Sequence, residues 1–72
     1  MSHYITAQHN KRPVILAGPY KSESRAWDDI AQAFEHARTF EDARDLTLYG
    51  VEHLPGLKTP GRLNLRGFQS AG

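Results

Sequence analysis

The chain has 72 residues, of which 39% are hydrophobic, with no cysteine and a formal net charge of +1 at pH 7. This length allows one domain, and a domain of this size buries only about 60% of the surface that its unfolded chain exposes. The absence of cysteine excludes a disulfide framework and a cysteine-ligated zinc site, and it favours a reducing compartment. No apolar stretch approaches the ~18 residues of a membrane span, and Met1-Ser2-His3-Tyr4 is too polar for a signal peptide, so we expect a soluble cytoplasmic protein.

Charge is unevenly distributed along the chain. Seven of the eight acidic residues lie within residues 22–45, whereas residues 1–21 and 55–72 carry lysine and arginine but no acid. The pattern predicts an acidic middle between two basic ends. Such runs often serve only solubility, but either surface is also a candidate contact for a partner.

Two strands joined by a hairpin are predicted first. Tyr4–Gln8 is typical of a short strand, and residues 9–12 are a polar hairpin loop. Residues 14–17 form a continuous apolar run rich in β-branched side chains, which favours a buried strand. Gly18-Pro19 should end this second strand, because proline lacks the N–H that a sheet requires.

An amphipathic helix follows, with Ser22 or Ser24 as its N-cap and an end at about residues 38–40. Residues 41–45 either extend it or form a loop. The apolar positions recur at helical spacing and should face the sheet: they are Trp27, Ile30, Ala31, Phe34 and Ala37. The other side is an acidic helix face that consists of Asp28, Asp29, Gln32 and Glu35.

A third strand is predicted over residues 46–54, where apolar and other side chains alternate, with a bulge at Gly50. We therefore assign residues 1–54 to a single small α+β domain. Residues 55–72 should be an irregular basic C-terminal tail whose end is disordered. Within this tail, residues 62–66 alternate and could add a short fourth strand.

The β-β-α-β order predicts an α+β fold in which one helix covers one face of a small, mostly antiparallel three-stranded sheet. The strand order is either 2-1-3, or the third strand lies beside the second through a right-handed crossover. The tight first hairpin favours 2-1-3. The second face of the sheet should carry Tyr4, Ile15 and Tyr49. An uncovered apolar face of this kind is most often a surface for a partner or for a second copy.

The sequence contains no pattern typical of catalysis or of cofactor binding. None of the four histidines has the spacing of a metal-ligand set. Asp28 and Asp29 point about 100° apart on a helix, so they cannot form a catalytic pair. We expect no catalytic residue, no metal, no cofactor and no small-molecule substrate, and we predict that the chain is not an enzyme.

Residues 16–26, Leu-Ala-Gly-Pro-Tyr-Lys-Ser-Glu-Ser-Arg-Ala, are followed by Leu48-Tyr49-Gly50-Val51. This layout resembles small uncharacterised mobile-element proteins of phages and plasmids, in which a Gly-Pro-aromatic-x-Ser/Thr turn opens an alanine-rich helix. The turn is also similar to that of peptidoglycan-binding SPOR-type repeats, but the chain shows no secretion signal or membrane anchor, so we do not expect cell-wall binding. Such mobile-element proteins are similar in size to anti-CRISPR inhibitors. The resemblance implies stoichiometric accessory binding without catalysis, and it assigns no functional residue.

Two functions follow as hypotheses. The first is a non-enzymatic protein-binding module, such as an inhibitor of a host protein complex, that presents the acidic helix face or the free sheet face to a protein partner or to a second copy. The alternative is a nucleic-acid-binding accessory protein, whose affinity would fall steeply with salt. Its contacts would be the cations of the hairpin and the tail: Lys11, Arg12, Lys58, Arg62 and Arg66. No membrane partner is expected.

Overall fold

The computed structural model describes residues 2–40 and 45–69. The elements are β1 (His3–His9), β2 (Arg12–Tyr20), α1 (Glu23–Ala37), β3 (Thr47–His53) and a 3₁₀ helix (Asn64–Arg66). The sheet has the order β2-β1-β3, and β1 runs antiparallel to both neighbours. The predicted α+β fold and its 2-1-3 strand order are therefore confirmed. No helix among the described residues is long and apolar enough to cross a membrane.

The hairpin between β1 and β2 is tighter than predicted. His9 and Arg12 already pair with each other, so the loop contains only Asn10 and Lys11. Both loop residues are left-handed, with φ angles of 53° and 67°. This is the pattern of a type I′ turn, whose twist matches that of the strands it joins.

The prediction that Gly18-Pro19 ends β2 is wrong, because the strand continues to Tyr20. The register shifts between the pairs His3–Tyr20 and Ile5–Ala17, so Pro19 lies in a bulge of β2, a position where a strand tolerates proline. Gly18 has a φ of 134°, and a Cβ at this position would lie 2.6 Å from Cδ2 of Tyr4. Glycine thus allows the strand to pass over the Tyr4 ring and to bring Tyr20 into the core.

Helix α1 begins as predicted but turns a different side to the sheet. Its N-cap is Ser22, whose hydroxyl oxygen accepts a hydrogen bond from the Arg25 backbone N–H at 3.3 Å. The buried positions are Ala26, Asp29, Ala33 and Ala37. Trp27 and Phe34, both predicted to face the sheet, are 48% and 41% exposed.

Two causes explain this rotation of about one residue. Alanines allow a helix to lie close to a small sheet, where larger side chains would hold it away. Asp29 is accommodated because the buried Tyr20 hydroxyl donates a hydrogen bond to its Oδ2 at 2.8 Å. The helix ends at Ala37, near the predicted end. Of the expected extension or loop over residues 41–45, residues 41–44 lie outside the described part of the chain.

Strand β3 contains a bulge, but not at the predicted position. Gly50 pairs regularly with Thr6, and the register shifts between Thr6 and Gln8, whose partner is Thr47. Leu48 is the extra residue, with a φ of 53° and 73% exposure. Leucine rarely adopts this left-handed conformation, so the sequence pattern favoured the glycine instead.

The C-terminal segment, residues 61–68, lies along the outer edge of β2. Three consecutive amides donate hydrogen bonds to β2 carbonyls: Gly61 to Gly18 at 3.2 Å, Arg62 to Ile15 at 2.9 Å and Leu63 to Leu16 at 2.8 Å. The chain then turns into the 3₁₀ helix, so the fourth strand considered over residues 62–66 is not formed.

Side chains also attach the C-terminal segment to the domain. Leu63 is fully buried and belongs to the same hydrophobic core as Ile5 and Leu16. Asn64 accepts a hydrogen bond from the Gly18 N–H at 3.0 Å through Oδ1 and donates one to the Phe68 carbonyl at 3.0 Å through Nδ2. The core therefore includes residues beyond position 54. The predicted disorder at the chain end concerns the last residues, and residues 70–72 lie outside the described part of the chain.

Candidate functional site

Exposed aromatic side chains lie where α1 borders β3. Trp27 and Phe34 are separated by seven residues, so they lie on one side of the helix with Ile30 and Ala31 between them. The Phe34 ring meets the Tyr49 ring edge-on, with centroids 5.1 Å apart and planes at 76°. We call Trp27, Ile30, Phe34 and Tyr49 the aromatic strip.

The aromatic strip is open and uncharged. Three of its side chains, Ile30, Phe34 and Tyr49, line a shallow groove of about 420 Å³ between the helix and the strand, together with Ala31 and Glu35. Burial raises the pKa of the Tyr49 hydroxyl above its ordinary value of 10.0, because desolvation disfavours the phenolate. The Tyr49 hydroxyl is neutral near pH 7, so the groove is apolar apart from the Glu35 side chain at its border.

Charged groups of opposite sign lie at the two ends of the aromatic strip. At its N-terminal end, Glu23 Oε2 accepts a hydrogen bond from Trp27 Nε1 at 3.2 Å. At its C-terminal end, the Arg38 guanidinium carbon lies 5.7 Å from the centroid of the Phe34 ring. Arg38 Nη1 also lies 3.6 Å from Glu35 Oε1, in an exposed ion pair. Pairs this exposed contribute little to stability, so both charges remain available to a partner.

Three of the four residues predicted for the acidic helix face lie on the surface of α1. Asp28, Gln32 and Glu35 are exposed and recur at helical spacing beside the aromatic strip. Asp29 does not belong to this face, because it is only 4% exposed and is hydrogen-bonded to Tyr20. The remaining three residues form an acidic margin along an aromatic centre, an arrangement typical of protein interfaces.

We expect Asp29→Ala to lower the free energy of unfolding by about 1–3 kcal/mol, because it leaves the buried Tyr20 hydroxyl without this acceptor. The matched control is Asp28→Ala, which removes an exposed carboxylate one position away and should change stability by less than about 0.5 kcal/mol. Urea unfolding followed by circular dichroism measures both. Equal losses in the two variants would contradict the buried position of Asp29.

The residues predicted for a free sheet face do not share one face. Tyr49 lies on the helix side, against Phe34. Tyr4 lies on the opposite side but is fully buried, and its hydroxyl donates hydrogen bonds to the carbonyls of Leu57 at 3.1 Å and Thr59 at 3.0 Å. Half-buried Ile15 pairs with Thr6 and therefore lies on the Tyr4 side. The loop after β3, which was predicted as part of an irregular tail, covers part of this face.

The cations of the nucleic-acid hypothesis lie on several parts of the molecule. Lys11 and Arg12 are at the tip of the first hairpin, and Lys58 is in the loop that crosses Tyr4. Arg62 lies along β2, whereas the Arg66 guanidinium carbon is 4.6 Å from the centroid of the Phe40 ring. These positions belong to three separate segments, so the hypothesis stays a prediction.

Sequence reasoning placed the helical members of the aromatic strip, Trp27, Ile30 and Phe34, in the core, whereas Trp27 and Phe34 lie on the surface. The signal that could have corrected it was a second stripe with the same period, formed by Ala26, Ala33 and Ala37. That stripe contains Asp29, which made it look polar. No sequence signal indicated that Leu48 would be both exposed and left-handed.

The described residues thus define a small α+β module with an exposed aromatic strip. Among residues 2–40 and 45–69, no three histidine or acidic side chains come close enough to hold a metal ion. The chain matches no protein-family model, no curated protein and no solved structure. The resemblance to phage and plasmid proteins therefore stays a prediction, and a functional proposal depends on the geometry of this surface.

Proposed function

We propose that this chain is a non-catalytic protein-binding module whose contact surface is the aromatic strip together with its acidic margin. The observation that carries the proposal is the exposure of Trp27 and Phe34, at 48% and 41%, beside Tyr49. A chain of 72 residues has few large apolar side chains, and two of its largest are excluded from the core in favour of alanines. Aromatic side chains of this kind contribute most of the binding energy in many interfaces.

The margin of the aromatic strip suggests the chemistry of its partner. Asp28 and Glu35 are exposed on the same side of α1 and place negative charge next to the aromatic centre. Complementary charge at the rim of an interface accelerates association and excludes partners of like charge. An apolar patch on the partner would cover the aromatic centre, and positive charge near that patch would complement Asp28 and Glu35. In this proposal the module binds stoichiometrically, and its cytoplasmic location stays a prediction from the cysteine-free composition.

The test is affinity capture from source-cell lysate on the immobilised full chain, quantified by mass spectrometry. We expect the double variant Trp27→Ser, Phe34→Ser to capture the specific partner at least about tenfold less well, because it removes the aromatic anchors. The matched control is Leu65→Ser, which replaces an equally apolar, 75% exposed side chain on the 3₁₀ helix beside β2.

Circular dichroism melting confirms that each variant is folded before capture is compared. Reversal of the acidic margin with Asp28→Lys and Glu35→Lys should lower capture and reduce its sensitivity to salt. Capture that is the same for the wild type and for the Trp27→Ser, Phe34→Ser variant would overturn the proposal.

A further inference from the structure

The outer edge of β3 has no neighbouring strand among residues 2–40 and 45–69, because β3 is last in the sheet order. The Leu54 N–H donates a hydrogen bond to the Ser2 carbonyl at 2.8 Å, which fixes the alternation along the strand. Every second residue before Leu54 directs its backbone groups to β1, so Tyr49, Val51 and His53 direct theirs outwards. An edge of this kind is a template for pairing with another strand.

We propose that a second copy of this chain pairs along this edge, antiparallel to the first, about a two-fold axis at Val51. The two sheets then form one six-stranded sheet, and the aromatic strips of the two copies face each other above it. This inference depends on the proposed function, since it uses the same strip as a contact surface. A second copy has the same acidic margin, so the contact between copies consists of the aromatic strip and the end charges Glu23 and Arg38, without the acidic margin.

The strand itself suits pairing with a copy of itself. With the axis at Val51, Tyr49 lies opposite His53 of the second copy and Gly50 lies opposite Glu52, so no like charges meet. Val51 lies opposite itself, which places an apolar pair on the helix side. β3 contains neither lysine nor proline, the residues with which edge strands commonly prevent such pairing, and its bulge at Leu48 lies outside the paired residues 49–53.

The charges at the ends of the aromatic strip favour an identical partner. In an antiparallel pair of α1 helices that sets Trp27 opposite Phe34, the same register sets Glu23 opposite Arg38. Each copy supplies one acid and one cation, so two opposite-charge pairs form, one at each end. A peptide from another protein could pair with the β3 edge, but these end charges favour a second α1 helix.

The strand pairing and the helix pairing require the same axis. Tyr20 and His53 both pair with His3, so α1, which follows Tyr20, begins at the His53 end and runs antiparallel to β3. Phe34 marks the level of Tyr49. The midpoint between Trp27 and Phe34 lies about 5 Å from Phe34 towards the start of the helix, at ~1.5 Å per residue. Val51 lies about 7 Å from Tyr49 in the same direction, at ~3.3 Å per residue along the strand. The centre of the helix pair and the centre of the strand pair therefore nearly coincide.

The first test is sedimentation velocity of the full chain over a range of concentrations. We expect a species of twice the 8.1 kDa chain mass that dissociates on dilution. Glu23→Arg alone and Arg38→Glu alone each bring like charges together at both ends, and we expect each to weaken self-association by about tenfold or more. An equimolar mixture of the two variants restores opposite charges at both ends and should regain the association of the wild type.

Hydrogen exchange gives a readout that does not depend on these charges. The outward-directed amides of Tyr49, Val51 and His53 should exchange more slowly as the concentration rises, whereas the Thr6 amide, in the central strand, should not change. Both charge variants alter exposed side chains, so circular dichroism melting should show a folded chain in each case.

Three results would overturn the inference. The first is a chain that stays monomeric up to about 1 mM, because a dissociation constant above this value is too weak for most specific complexes. The second is a mixture of the charge variants that associates no better than either variant alone. The third is unchanged hydrogen exchange at the Val51 amide. The capture experiment separates this outcome from the proposed function. A monomeric chain whose partner capture still requires Trp27 and Phe34 would overturn the second copy as partner and leave the binding module in place.

Discussion

Leu63→Ala should lower the free energy of unfolding by about 2–5 kcal/mol, the usual cost of deleting a fully buried leucine side chain. Leu65→Ala makes the same substitution two residues further on, at a side chain that is 75% exposed, and should cost less than about 0.5 kcal/mol. Thermal and urea unfolding monitored by circular dichroism measure both variants. A domain of this size has a total stability of only about 4–11 kcal/mol, so the first variant should have a clearly lower melting temperature.

The pair of leucines tests whether the C-terminal segment is an integral part of the domain. Leu63 contacts the core only because the backbone at residues 61–63 follows β2. If the segment were a loose tail, both substitutions would have equally small effects. That result would contradict the observed position of residues 61–68.

Gly61→Ala should detach the same segment by a different mechanism. A Cβ at Gly61 would overlap the carbonyl group of Leu16 and the backbone N of Ala17. Neither is the end of a flexible side chain, so the strand and the segment would have to separate, at a cost of at least about 1–3 kcal/mol. Besides the loss of stability, hydrogen exchange at the Arg62 and Leu63 amides should become faster, because both donate to β2.

Gly56→Ala is the matched control, since a Cβ there has no neighbour within 4 Å. It should leave stability within about 0.5 kcal/mol, or raise it slightly by restricting the unfolded chain. If Gly61→Ala were as harmless as this control and kept its slow amides, the close approach of Gly61 to β2 would be wrong.

The order and type of the elements could be predicted from local patterns. The apolar run at residues 14–17, the serine cap and the helical period from Trp27 onwards each depend on neighbouring residues only. The tight hairpin also favoured β1 as the central strand, which the structure confirms. These features are local, and the short connections leave few alternatives for the sheet.

The orientation of the helix could not be predicted in this way. Asp29 is buried because a hydroxyl from Tyr20, on another element, lies 2.8 Å away. Without that contact, the aromatic stripe is the better candidate for the core, and the stripe of alanines looks polar. Tyr49 and the acidic margin were predicted as contact residues, but Trp27 and Phe34 were missed because they resemble core residues in the sequence.

The prediction of an uncovered second sheet face failed for a similar reason. Proline and glycine in residues 55–61 indicated an irregular backbone, and these residues form no helix or strand in the structure. Irregular backbone can still be well anchored: the Tyr4 hydroxyl binds two carbonyls of this loop, 53 and 55 residues away in sequence. Contacts over such separations leave no trace in a local pattern.

The hydrogen bond from Gly18 to Asn64 joins residues 46 positions apart, and it has a consequence for how the chain folds. The hairpin and the helix can form as soon as their own residues are available, but the core is complete only when Leu63 packs against it. Closing so large a loop costs entropy before the contact contributes any stability, which slows folding. During synthesis, a nascent chain that has not yet exposed residue 63 has an incomplete core, so folding completes only after this segment has left the ribosome.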